Sequence, residues 1–438
     1  MTKLTLTPLI LCLGLLPFPA LAQDGEVQSK QYDDGGVYEG TFKDGVQHGT
    51  GTYTLPNGYE YEGAWVDGEI KGKGVARFPN GSVYEGNFEK GKPDGFGKIT
   101  FADGGTYEGE WEAGAITGQG IALYANGVRY EGSFRNANHH GKGVMQSPGG
   151  YEYQGDWVDG VKQGVGKITY PDGALYDGDI ADGERNGTGT LTMPDGLTYT
   201  GQWKDGQIEG TGKVTYPDGS VYEGSFRDDL ADGEGKITYP DGSTYEGSWV
   251  AGVIEGEGRA TYPNGIVYEG GFKNARNDGQ GVMTYADGYK YDGSWKDGQR
   301  NGMGTATYPD GTVYTGGFVD GLRDGTGKIT MPDGFTYDGQ WSGGEIEGTG
   351  TATYPNGDIY EGAFEGGKRQ GQGTMRYKSG EEVSGQWVNG ALQEAGTAPA
   401  EDTQAAPTPD ATDEAPADAE TPSEAPADST DEAESNDG

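Results

Sequence analysis

The stretch Tyr245–Val267, YEGSWVAGVIEGEGRATYPNGIV, decides how this chain folds. Its opening tyrosine returns every 23 residues, from Tyr38 and Tyr61 through Tyr222 and Tyr268 to Tyr360, with no insertion or deletion. A sixteenth register opens at Val383. Self-similarity at a fixed period of this length means that one supersecondary unit stacks on copies of itself, since a single copy cannot bury its own apolar face.

Counting the tyrosine as position 0, Tyr(0), Gly(+2) and Trp or Phe(+4) alternate with Glu(+1) and polar residues, the two-residue period of a strand with one apolar face. Glycine near +7 ends that strand. Gly(+11) and Gly(+13) lead into a second run, such as Gly235–Tyr239, with apolar residues at +15 and +17. Pro-Asp-Gly or Pro-Asn-Gly follows, as in Pro240–Gly242. Proline fixes φ, Asp or Asn tolerates the left-handed region and Gly supplies positive φ, so this is a hairpin turn. The expected fold is therefore all-β, an elongated single-sheet meander of stacked 23-residue β-hairpin repeats. Each strand's glycines share the parity of its apolar residues and leave hollows for the rings.

A second period is twice as long. All eight tryptophans, Trp65, Trp111, Trp157, Trp203, Trp249, Trp295, Trp341 and Trp387, sit at +4 and lie 46 residues apart. Phe42, Phe88, Phe134, Ile180, Phe226, Phe272, Phe318 and Phe364 fall between them. Position +15 alternates in step: small in most Trp repeats (Ala76, Ala260, Ala306), large in the others (Tyr53, Ile99, Ile237). Constant packing volume predicts that each ring meets the +15 residue of its own repeat. The eight tryptophans form the candidate interaction stripe.

The pattern Tyr-Glu-Gly-x-Trp, a Gly three residues on and then Gly-x-Gly, resembles the MORN (membrane occupation and recognition nexus) repeat, over about Val37 to Gly390. The resemblance implies a repeat scaffold. Kinases that carry such repeats hold their activity in a separate domain, for which this chain has no room. The family often places His before the Gly-x-Gly; here His48 and His140 match, while Asp94, Glu255 and Asn301 stand at the same place elsewhere.

The ends differ from the middle. Lys3, the apolar run Leu4–Leu16 and the triplet Ala20-Leu21-Ala22 read as a secretory signal peptide over residues 1–22. Cleavage there would remove Cys12, the chain's single cysteine, and leave the repeats without disulfides. A lead-in covers 23–36 and the repeats 37–390. From 391 to 438 the chain has fourteen acidic residues, no Lys or Arg and no aromatic residue, the composition of a disordered acidic tail. The formal net charge of −39 argues against nucleic acid and against docking on anionic lipid.

Catalysis needs an asymmetric constellation, whereas a translational array repeats every residue in an equivalent setting. His139 and His140 are adjacent on a strand, where side chains point to opposite faces, so they read as loop or surface residues rather than a metal pair. The row Glu39, Glu62, Glu85, Glu108, Glu131, Glu223, Glu246 and Glu269 has copies about 10 Å apart, a solvated ladder rather than a glycosidase pair. No catalytic residue, cofactor or metal ligand is assigned. The sequence thus reads as an exported, periplasmic or secreted non-enzymatic scaffold for a protein partner or envelope component. Self-association would use the N-terminal edge near Val37 or the apolar face, the acidic tail keeping the other end free. The alternative is a carbohydrate- or lipid-binding module whose tryptophan stripe stays open.

Overall fold

The computed structural model describes residues 26–393, so the expected signal segment and nearly all of the expected tail lie outside the described residues. Among the described residues there are thirty-three strands, β1–β33 in chain order, and no helix. They fall into two bodies, one running to Pro171 and one from Asp172. Within each, every strand pairs antiparallel with its sequence neighbours, for example β2 (Val37–Lys43) with β3 (Val46–Thr54), and β20 (Thr244–Val250) with β21 (Val253–Thr261).

Both connections of the repeat are hairpin turns, built differently. Inside a repeat the strands join through positions +6 and +7, as at Asp44 and Gly45, whose φ values of 51° and 82° make a two-residue turn of the primed type. Between repeats, Gly242 donates to the Tyr239 carbonyl at 3.0 Å and Tyr239 to that of Ser243 at 2.9 Å. The Asp241 carboxylate accepts the Ser243 amide at 2.8 Å, fixing the turn that Pro-Asp-Gly announces.

The hairpin carries a bulge that the alternation did not reveal. Gly247 pairs with Gly258, but two residues on, Trp249 pairs with Ile254. The extra residues are absorbed at Gly256, in the left-handed region at φ +89°, where an added Cβ would meet the Ser248 side chain. Gly(+11) is therefore needed for the bulge, not as a hollow for a ring. The hollows belong to the Gly(+2) and Gly(+13) pair alone.

The +15 residue also differs from expectation. It lies opposite tyrosine, as Ala260 does between Tyr245 and Tyr268, and not opposite the ring at +4. The +15 residue that touches Trp65 is Tyr53, from the preceding repeat, at 6.0 Å between centroids. Each ring leans back over the repeat before it, so the large ring Trp65 meets the large Tyr53, and the expected matching of a large ring with a small +15 partner does not hold.

The meander exceeds its expected limits at both ends. β1 (Gln28–Gln31) lies in the lead-in and pairs with β2, Lys30 opposite Tyr38. The outer N-terminal strand is thus β1 rather than the one at Val37. At the other end β33 (Ala391–Leu392) folds back on β32 (Glu382–Val388), beyond the expected stop at Gly390.

Candidate functional site

Tyrosine, glycine and tryptophan build one face as a single device. The Tyr245 ring lies flat along its strand over Gly247 and Gly258; a Cβ on Gly258 would meet ring atom Cε2 at 2.4 Å. Its hydroxyl donates to the Ser248 carbonyl at 3.0 Å, at the residue where the bulge interrupts the ladder. The same bond recurs at Tyr84 with Asn87 and at Tyr107 with Glu110, both 3.0 Å. Burial is the main cause that pushes the Tyr84 and Tyr107 hydroxyls up to about 12.

Inside the array each ring at +4 stands edge-on between two such tyrosines, while the end rings Phe42 and Trp387 meet one each, Tyr38 and Tyr360. Trp249 is 5.1 Å from Tyr222 and 5.6 Å from Tyr245, and Phe272 continues the row 5.0 Å from Tyr245. Trp249 is 1 % exposed, and all eight tryptophans of the expected stripe are buried. Trp341 Nε1 donates to the Gly327 carbonyl at 3.0 Å and Trp387 Nε1 to that of Gly373 at 3.1 Å, both in the preceding repeat. Seven of the eight tryptophans make this bond, Trp157 being the exception, and phenylalanine cannot, which gives the 46-residue period a chemical meaning. The stripe is spent on joining repeats.

Position +9, which alternation alone leaves unassigned, also faces the rings. In the C-terminal body it holds Ile208, Ile254 and Ile346 but also Arg300, Arg323 and Arg369, all buried. The Arg323 guanidinium lies 4.7 Å from the Trp341 ring and that of Arg369 4.7 Å from the Trp387 ring. Arg300 donates to the Gly321 carbonyl at 2.7 Å. These arginines complete the aromatic layer through cation–π contact and bonds to turn carbonyls. The sequence gives no regular signal for them: +9 varies through Gln47, Pro93, Ala231 and Asn277 as well as Ile and Arg, and Arg300 and Arg323 occupy it in successive repeats.

Position +10 has a clear job. The Glu255 carboxylate accepts the Asn274 amide in the next repeat's turn at 3.0 Å; Asp94 does the same for Ala113 at 3.0 Å and Gln370 for Asn389 at 2.9 Å. At the places with histidine, Nδ1 of His48 stands 3.4 Å from the Asp67 amide and that of His140 3.4 Å from the Asp159 amide. Any acceptor of suitable length serves, so Asp, Glu and Gln replace His. His139 instead turns to the aromatic face, stacked on Tyr130 at 3.7 Å with Nε2 2.7 Å from the Tyr124 hydroxyl, and burial lowers it to about 4.

The opposite face carries the Glu row. From Lys213 to Glu269 in the C-terminal body it alternates in sign, Lys213–Glu223 at 2.6 Å, Lys236–Glu246 at 3.5 Å and Arg259–Glu269 at 2.8 Å. In the N-terminal body this face forms a groove of about 1020 Å³, with Glu39, Glu62, Glu85 and Glu108 along it and Val75 and Phe96 between.

The MORN repeat matches fifteen successive stretches of the chain, the first at residues 38–58 and the last at 360–382. The chain belongs to the MORN repeat family. No match is found among curated proteins. Among solved structures, the microcephaly protein CPAP G-box domain is 18 % identical over 55 % of this chain and 96 % of its own, with a TM-score of 0.17. The TCP10 domain of Danio rerio CPAP, solved with a peptide of Danio rerio STIL, is 17 % identical over 72 % and 100 %, with a TM-score of 0.14. Streptogramin B lyase is 12 % identical over 74 % and 92 %, with a TM-score of 0.12. Likeness this slight carries no argument about function. MORN membership itself points to a repeat scaffold for protein or membrane interactions.

Proposed function

We propose that this protein is an exported, non-enzymatic scaffold that binds protein partners or envelope components through the polar face of its repeats. One observation carries the reading. The aromatic rings, which an open carbohydrate- or acyl-binding groove would present, are buried against Gly(+2) and Gly(+13) and against one another, as Tyr245, Trp249 and Phe272 are. What the repeats present outward is a polar ladder with a fixed spacing, suited to a partner that is itself extended or repeated. The residue pattern over 1–22 supports export, and the acidic balance supports a protein over an anionic membrane.

Export is tested by fractionating cells and sequencing the protein's N-terminus. A chain starting near Gln23 outside the cytoplasm is expected. An intact chain confined to the cytoplasm overturns export. Binding is tested with the full chain on glycan arrays, on vesicles and by photocrosslinking in cells. Defined protein adducts from polar-face positions are expected; saturable glycan or neutral-lipid binding lost in Trp249→Phe would move the assignment to the aromatic face.

A further inference from the structure

The polar groove of the N-terminal body differs from the equivalent surface of the C-terminal body in one respect, its uncompensated charge. Across the strands the row reads Glu39, Thr52, Glu62, Val75, Glu85, Lys98, Glu108. Lys98, opposite Glu85 in the ladder, leans to Glu108 at 3.8 Å, and among the described residues no cation forms an ion pair with Glu39, Glu62 or Glu85. From Lys213 to Glu269 the equivalent row in the C-terminal body places Lys or Arg between the glutamates and neutralises itself, before Val282 separates Glu269 from Asp292. Apolar surface lies in the same groove, Phe96 at 58 % and Val27 at 59 % exposure. Lys73 is its other cation.

Spacing identifies the occupant. The glutamates sit on alternate strands, so they repeat every ~9.6 Å along the axis across the strands. An extended β-strand lying on that axis turns residues i and i+3 to opposite sides. A polyproline II helix has three residues per turn and rises ~3.1 Å per residue, so every third side chain falls on one side at ~9.3 Å. Three such steps cover ~28 Å against ~29 Å for the row from Glu39 to Glu108. We infer that the N-terminal groove binds a polyproline II peptide carrying a basic residue at every third position, its cations on Glu39, Glu62 and Glu85 and its prolines against Phe96 and Val75. This rests on the scaffold reading and names the chemistry of its partner.

The probe is fluorescein-labelled (Lys-Pro-Pro)4, compared by anisotropy with a peptide of equal composition whose four lysines are contiguous, on the full chain at low and moderate salt. The periodic peptide is expected to bind at least tenfold tighter than the block peptide. Glu39→Gln/Glu62→Gln/Glu85→Gln should weaken it tenfold or more and flatten its salt dependence. Phe96→Ser should weaken it at both salts, and Glu223→Gln/Glu246→Gln/Glu269→Gln in the C-terminal body should leave it unchanged. These side chains are exposed, so melting curves should match the unsubstituted chain. Equal affinity for both peptides means attraction without register and overturns the inference, as does no binding or an unaffected groove variant. Protein adducts in cells that persist in the groove variant would retain the scaffold and discard only this partner.

Discussion

Gly258→Ala is a substitution for which chain entropy and sterics predict opposite signs. Gly258 has no positive φ, so replacing it with alanine in a strand restricts the unfolded chain and by itself stabilises by ~0.4–1 kcal/mol. The native site forbids the methyl. Its Cβ would lie 2.4 Å from Tyr245 Cε2 and 2.5 Å from the Tyr245 hydroxyl oxygen, well inside the contact distance of ~3.5–4.0 Å. To make room the ring must move by about 1 Å, yet Trp249 and Phe272 hold it edge-on at 5.6 and 5.0 Å. Moving it also breaks the 3.0 Å bond to the Ser248 carbonyl. Overpacking of ~1–3 kcal/mol plus the lost bond of ~1 kcal/mol, less the ~0.4–1 kcal/mol from the restricted unfolded chain, gives a net destabilisation of about 2 kcal/mol. A repeat array need not unfold in one step, so the assay is hydrogen exchange across β20 and β21 beside urea unfolding. The decisive control is Gly258→Ala on a Tyr245→Ala background, where the added methyl should be neutral or stabilising. If Gly258→Ala alone is neutral or stabilising, or if its cost persists without the ring, the ring-over-glycine account is wrong.

Three turns lack glycine at +7 and hold Ala137, Asp229 and Ala275 at φ values of 66°, 67° and 58°. Ala275→Gly should relieve about 1 kcal/mol of left-handed strain and raise the melting temperature; an unchanged or lower midpoint contradicts this. Glu255→Ala should remove the acceptor of the Asn274 amide and cost about 1 kcal/mol, with Glu255→Gln nearly neutral by the same melts. His139 is lowered by burial to about 4 from an ordinary value near 6.5, so the unfolded chain takes up its proton first. Its contribution is complete above about pH 6.5 and fades as pH falls toward 4, and His139→Ile should flatten stability between those limits. A pH dependence identical in both proteins would show that His139 is not the titrating group.

The repeat, its two strands and the turn at Pro240–Gly242 are legible in the sequence because period and turn chemistry are local properties. The bulge at Gly256 is not, since alternation marks which side a residue faces but not how many residues oppose it across the hairpin. For that reason volume alternation groups Ala260 with Trp249 in the sequence while the structure sets it against Tyr245 and Tyr268. The buried arginines escape reading for a related reason. Arg323 looks like a surface residue until Trp341 of the next repeat is laid over it. The eight tryptophans are simple to find, but periodicity does not say whether a ring faces solvent or glycine. The glutamates are equally plain, whereas the contrast between Glu62 facing Val75 and Glu246 facing Arg259 emerges only once strands are paired.

The turn amides and tryptophans of a repeat reach back to acceptors in the repeat before, while buried arginines such as Arg300 reach forward to the turn carbonyl of the repeat after. The Ala275 amide donates back to the Ile254 carbonyl at 3.0 Å, the Asn274 amide to Glu255 at 3.0 Å and Trp341 to the Gly327 carbonyl at 3.0 Å. In each of these the later repeat brings the hydrogen and the earlier one already holds the acceptor. A polypeptide made N-terminus first therefore finds ready acceptors for these amides and indoles at each 23-residue step, while an arginine such as Arg300 is completed only when the next repeat brings the Gly321 carbonyl. Chains released after any whole repeat should then be folded up to their last turn, so premature termination yields shorter functional lengths instead of misfolded waste. Repeats added at the C-terminal end during evolution inherit the same docking surface, which makes length the easiest property of this protein to change.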